Sequence, residues 1–247
     1  MPNLALHNLR TSARAFLAVM TLCACVAACG EDGKREVREL RTQVQQAYGT
    51  KNFKKGLELS QKGLVVAREA LGDKAPDTLY FVQAISENTL ATGNMRAAIA
   101  AMKQEIAMRA AAGQDEKKLQ PRRTLLIKIA EESDDKLTAV EQAVEVSRGI
   151  DMKRGKDPQP VYRTPTNYPV EMYRQKIEGD VDIAYGLDQN GAVTEARVTT
   201  STPARVFDQA ALESFKAWRF TPMLDSNGRP ISASGFKFTL AFRLGRQ

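Results

Sequence analysis

The residue types that most often do covalent chemistry are nearly absent from this chain, and the few present crowd into its start. Of 247 residues one is histidine, His7, and three are cysteine, Cys23, Cys25 and Cys29. A Ser–His or Cys–His nucleophile needs an imidazole or thiolate held in a folded site, and a zinc centre needs several such ligands. If the stretch that holds these residues is a leader removed on processing, neither arrangement can form. No intramolecular disulfide can form either. The acidic run Glu131-Glu132-Ser133-Asp134-Asp135 is the other candidate for chemistry. It lacks the loop glycine of a calcium-binding hand and falls where two helices should turn. It reads as a solvated inter-helix segment, and the pairs Lys117-Lys118 and Arg122-Arg123 read the same way. No glycine-rich loop of phosphate-cradling spacing occurs. The formal charge is +7, but no basic cluster interleaves with aromatics, so nucleic acid is not expected as a partner. The expectation is a protein that is not an enzyme, with no cofactor, no metal and no small-molecule substrate.

The first 29 residues have the layout of a targeting segment. Arg10 and Arg14 precede an apolar stretch, Ala15 to Val26, that is too short for an ordinary membrane-spanning helix. Val26-Ala27-Ala28-Cys29 follows and resembles a bacterial lipobox, in which cleavage precedes a cysteine that becomes lipidated. The alternative is a plain secretory signal cut near Ala28. The resemblance implies lipidation at Cys29. With Gly30 next rather than Asp, it also implies an outer-membrane lipoprotein facing the periplasm. Removal takes away two basic residues and no acidic one, so the balance stays positive.

The non-covalent chemistry of the chain is that of strands and one helix near its end. Val181, Ile183, Tyr185 and Leu187 alternate with Asp182, Ala184 and Gly186, as in a strand with one buried face. Asp188 to Gly191 ends in Asn-Gly, a strong hairpin signal, and Val193 to Thr200 returns as a β-branched strand. Phe207, Ala210, Ala211, Phe215 and Trp218 then fall on one helical face. A second Asn-Gly turn at Asn227-Gly228 leads to a last strand, with Phe236, Phe238, Leu240 and Phe242 on one side and Lys237, Thr239, Ala241 and Arg243 on the other. Such a sheet of three strands, covered by one helix, leaves an edge unpaired.

These residues carry a resemblance to a known family. Asn167-Tyr168-Pro169, Ile177-Glu178-Gly179, the turn at Asp188 to Gly191, Val198 with Ser201, Phe207 with Ala211, and Trp218-Arg219-Phe220-Thr221-Pro222 stand in the order found in the TonB C-terminal domain. The resemblance runs from Thr164 to Leu244. It implies binding of a short "TonB box" peptide of outer-membrane receptors by strand addition, with Phe236 to Arg243 as the docking edge and Asn167-Tyr168-Pro169 beside the peptide. The family often has Gln where this chain has the shorter Asn167.

Residues 30–150 are of another kind, sparse in glycine and proline and apolar at helical spacing. Asn52-Phe53-Lys54-Lys55-Gly56-Leu57 aligns with Asn94-Met95-Arg96-Ala97-Ala98-Ile99, and a degenerate third copy begins near Lys136. The first two helices that follow should end at Gly72 and Gly113. With Glu69 to Asp73 and Pro76-Asp77-Thr78, the pattern resembles the longer tetratricopeptide repeats of kinesin light chains.

The expected fold is therefore α+β and multidomain. A signal segment over 1–29 is followed by an all-α repeat domain over 30–150, a linker over 151–163, and a TonB-like domain of three antiparallel strands with a helix over 164–247. The long proline-rich segment of a TonB transducer is missing. The expected function is periplasmic binding and scaffolding at the envelope, associated with TonB-dependent transport, with protein or peptide partners and a lipid anchor. The alternative is an active energy transducer held in the inner membrane by an uncleaved N-terminal segment.

Overall fold

The computed structural model describes residues 31–150 and 156–244. The expected signal segment, with Cys29, lies outside the described residues. The chain parts into two compact units, divided between Gly113 and Gln114. The division falls earlier than the expected linker.

Among its described residues the first unit holds four helices: α1 (31–49), α2 (Phe53–Leu71), α3 (Pro76–Ala91) and α4 (Met95–Ala111). The repeat in the sequence is a repeat of helix starts. Asn52 accepts from the Lys55 amide at 3.2 Å, and Asn94 accepts from the Ala97 amide at 3.1 Å. Each satisfies an amide that the first helical turn leaves orphaned. Gly72 and Gly113 follow α2 and α4 with φ of 85° and 81°, positive values that glycine adopts without steric cost and that end a helix. Pro76 opens α3, where its missing N–H costs nothing. Val37, Leu40, Val44 and Ala47 of α1 recur at helical spacing and join Leu59, Leu64 and Ala67 of α2 and Phe81 of α3 in one core. A Cβ on Gly63 would stand 2.2 Å from the Phe81 ring, so this glycine lets α2 and α3 approach. Glu105 of α4 is fully buried. Ser86 donates to it at 2.6 Å and Arg109 at 3.1 Å, as a buried carboxylate requires.

The second unit opens with α5 (Glu116–Glu132) and α6 (Lys136–Gly149), packed on each other. The third repeat copy starts like the others, with Asp135 accepting from the Thr138 amide. Two sequence readings are corrected here. Arg123 is buried, not solvated, and donates to Glu116 and to Gln142 on α6. The acidic run is split by the turn: Glu132 is exposed, whereas the Glu131 side chain is only 5% exposed, set against Arg219 and Lys136. The partner Arg219 lies 88 residues away, out of reach of any local pattern.

The rest of the unit is a three-stranded antiparallel sheet, ordered β3 (Val193–Thr202), β2 (Gly179–Leu187), β7 (Ala233–Phe242). Short elements accompany it: β1 (Pro160–Tyr162), α7 (Val170–Arg174), α8 (Asp208–Lys216), β4 (Arg219–Phe220), β5 (Met223–Leu224) and β6 (Pro230–Ile231). β1 pairs with β4, and β5 with β6. The segment expected as a plain linker thus contributes a strand. The inner face of β2 is Val181, Ile183, Tyr185 and Leu187, and it meets Phe207, Ala211 and Phe215 under α8. α8 stops at Lys216, so Trp218 lies beyond it rather than on it. Among the described residues, no helix is long and apolar enough to cross a membrane.

Candidate docking edge

β2 is the central strand, flanked by β3 and β7; its burial alternates from Gly179 to Tyr185 and is then continuous to Leu187. β7 pairs with β2 alone among the described residues, so its other side is an open edge. Its register places Phe242, Leu240, Phe238 and Phe236 opposite Gly179, Val181, Ile183 and Tyr185. Three hydrogen bonds fix which amides point outward. Thr199 donates to the Asp182 carbonyl from the β3 side, Arg243 Nη1 to the Gly179 carbonyl from the β7 side, and the Leu244 amide to Glu178. Backbone groups alternate along a strand, so the odd-numbered residues of β2 face β7. Phe236, Phe238, Leu240 and Phe242 therefore bond inward. The amides and carbonyls of Lys237, Thr239, Ala241 and Arg243 face the open edge. This settles a parity that the sequence leaves undefined.

The two faces of the strand differ chemically. Leu240 and Phe242 are buried, while Phe236 and Phe238 are only partly covered. The Phe238 ring lies 5.4 Å from the ring of Trp218, which is 4% exposed, and the Arg163 guanidinium stands 5.0 Å from the Trp218 centroid. The Trp218 indole N–H donates to the Thr164 carbonyl at 3.2 Å. On the outer face Thr239 donates to Asp182 at 2.7 Å, and Arg243 grips Asp180 at 2.6 Å. A strand added to this edge would meet aromatic surface on one side and a polar, ion-paired face on the other.

Asn167, Tyr168 and Pro169 do not act as one group. Tyr168 packs against Phe242 and Phe207, with centroids 5.7 and 5.5 Å away, and donates to the Ile177 carbonyl. Burial, and then the nearby Glu178, push its phenol above the usual range. Asn167 is exposed and lines a shallow depression of about 250 Å³ against Ala210, Glu213 and Ser214, on the α8 side. Pro169 leads into α7, whose Val170 and Tyr173 are 62% and 60% exposed. Only Tyr168 is brought against the C-terminal end of β7.

The hairpin turn is built differently from a two-residue Asn-Gly turn. Only Gly191 takes positive φ, 75°. Asp188 carries the loop by accepting from the Asn190 and Ala192 amides. Gly191 is needed for a second reason. Its carbonyl accepts from the Phe220 amide at 2.9 Å, and a Cβ on it would stand 2.1 Å from the Phe220 carbonyl oxygen. Arg219 Nη1 donates to the Asn190 carbonyl at 2.8 Å, and Thr221 exchanges two bonds with Gln159. The Trp218-to-Pro222 segment is thus the brace between the turn, β1 and the aromatic core. Sequence reasoning saw its composition but not Arg163, Thr164 or Gln159, whose partners lie more than fifty residues away.

Comparison with known proteins finds relatives of this part of the chain. Residues 164–244 match the family model of the Gram-negative bacterial TonB protein C-terminal domain. Protein TonB of Yersinia enterocolitica is 26% identical over 88 residues, 36% of this chain and 31% of that protein. Protein TonB of Pseudomonas aeruginosa is 28% identical over 81 residues, 33% of this chain and 23% of its own length. The chain therefore spans about a third or less of these relatives. Among solved structures, the C-terminal domain of Pseudomonas aeruginosa TonB is similar at 24% identity and a TM-score of 0.32, covering 38% of this chain and 95% of that one. A structure of Podosopora anserina described as a putative kinesin light chain with nearly identical TPR-like repeats is similar at 14% identity and a TM-score of 0.38, covering 56% of this chain and 62% of its own.

Proposed function

We propose that this protein binds and scaffolds partners at the cell envelope, and takes part in TonB-dependent transport by docking a short extended receptor segment along β7. The observation that carries the reading is the open edge of β7. There the backbone groups of Lys237, Thr239, Ala241 and Arg243 face outward beside the half-covered rings of Phe236 and Phe238. Unpaired strand groups are a template for an incoming strand, whose main chain supplies affinity while side chains supply specificity. The resemblance of residues 164–244 to TonB C-terminal domains supports the same reading. The protein works in the periplasm, held at the outer membrane by a lipid on Cys29. Mass spectrometry of the mature N-terminus tests the anchor, and an intact Met1 would overturn it.

Titration of the protein with TonB-box peptides from receptors of the same organism tests the docking. Thr239→Ala should bind like the parent, since it removes only a side chain. Thr239→Pro should weaken binding, since it deletes an outward donor without breaking the ladder to β2. Absence of binding at millimolar peptide, or a folded Thr239→Pro variant that binds like the parent, would overturn edge docking.

A further inference from the structure

In sequence α5 closes the second copy of the helical repeat and α6 opens the third, yet in the structure both fall in the unit that contains the sheet. We infer that this helical pair is the base of the sheet domain, a part of its folding unit rather than the last turn of a separate repeat domain. The inference does not depend on peptide docking.

Three independent attachments carry it. Glu131, at the last turn of α5, pairs with Arg219, and their side chains are only 5% and 10% exposed. Arg219 in turn holds the Asn190 carbonyl of the hairpin turn, while its neighbour Phe220 holds Gly191. A charge pair so withdrawn from water is costly to break, because either partner left alone keeps its desolvation penalty. The second attachment is the packing of α5 against β1, the strand that pairs with β4. Burial raises the Tyr162 phenol there, with Glu132 and Glu131 adding to the shift. The third is apolar. Ile150, just past α6, packs with Met223 and Leu224, and the same small cluster takes in Ala233 and Phe236 at the start of β7. The pair thus meets the β1–β4 ladder directly, and is linked to the hairpin turn through Arg219 and to the root of the open edge through Met223 and Leu224. Its own interior is closed by Leu119, Leu126, Ile127, Ala130, Ala139 and Ala143, all fully buried.

The test uses Trp218, the one tryptophan of the chain, as a built-in reporter of the sheet domain. Thermal unfolding of the full protein is followed by its fluorescence. Leu126→Ala, in α5, should lower the Trp218 midpoint by roughly 5 °C or more. Phe81→Ala, an equally buried truncation in the first unit, should move it by no more than about 2 °C. An unmoved midpoint in Leu126→Ala overturns the inference, because the helical pair would then melt apart from the sheet. Equal shifts in both variants overturn it too, because the whole chain would then melt as one body. Should Leu126→Ala fail to fold, Glu131→Gln replaces it, with the exposed Glu132→Gln as its control. A lower Trp218 midpoint in Glu131→Gln alone supports the inference, and matching midpoints refute it.

Discussion

The first unit and the sheet domain solve the problem of burying apolar surface in opposite ways. In the first unit each helix packs on the next one in sequence: α1 and α2 share a core, α2 lies on α3, and α3 lies on α4. In the second the decisive bonds are distant. Trp218 reaches Thr164 across 54 residues, Gln159 reaches Thr221 across 62, and Arg219 reaches Glu131 across 88. Local cores can be assembled stepwise, whereas distant ones require loop closure before any contact is rewarded. The lesson is that the same chain carries one region whose parts are nearly interchangeable and another in which single positions join several elements at once.

The sharpest way to break this comparison is at Trp218. Trp218→Ala should destabilise the sheet domain by about 3–5 kcal/mol, read from denaturant unfolding followed by circular dichroism. Val65→Ala, at an exposed position of α2, should stay within about 0.5 kcal/mol of the parent. Equal effects would mean that the aromatic core is not packed as described.

Glycines give the next contrast. Gly191 and Gly72 both hold positive φ, but an added Cβ at Gly191 meets the Phe220 carbonyl and at Gly72 meets nothing. Gly191→Ala should cost roughly 2–5 kcal/mol, combining backbone strain with over-packing. Gly72→Ala should cost about 1 kcal/mol, from strain alone. Denaturation midpoints of the two variants compare them directly.

Alkali should also separate the units. Burial pushes the Tyr185 phenol well above the usual range, and a hydrogen bond to Glu131 raises the Lys136 ammonium. Both groups hold their protons more tightly when folded. Their contribution is complete below the unfolded values, near 10 for phenol and ~10.4 for lysine, and is lost as pH rises through the folded ones. The first unit has a raised phenol in Tyr80, but that ring is only partly buried. Trp218 fluorescence is expected to report unfolding at a lower pH than helical ellipticity of the first unit does. The reverse order would refute this.

The smallest effects belong to the helix caps. Asn52→Ala and Asn94→Ala should each cost about 1 kcal/mol, and by similar amounts, because both caps make the same single bond. Calorimetry that finds one cap indispensable and the other silent would show that the two repeats are not equivalent.

Legibility followed the same divide. The periods of β2, β7 and α8 are local patterns, and the structure contains each element within a few residues of its expected place. The starts of α2, α4 and α6 were legible because a cap involves residues three apart. Arg123 and Glu131 were misread as solvated because burial of a charge depends on a partner brought from elsewhere. At the docking edge the candidate residues were legible as a strand. The direction of their amides was not, since it depends on register with β2.

By itself the sequence determined the helical repeat, the alternating strands, the turns at Gly191 and Gly228, and the order of motifs shared with TonB C-terminal domains. These follow from periodicity, capping and backbone preference, which act over a few residues. Only the tertiary structure decided that β7 lies outside β2 with the amides of residues 237, 239, 241 and 243 free. It alone decided that Tyr168, and not Asn167, joins the end of that strand, and that the last helical pair groups with the sheet rather than with the other repeats. The physical reason is common to all three. Each outcome depends on which distant groups can lose water together, and that is fixed by closure of the whole unit rather than by any segment of it.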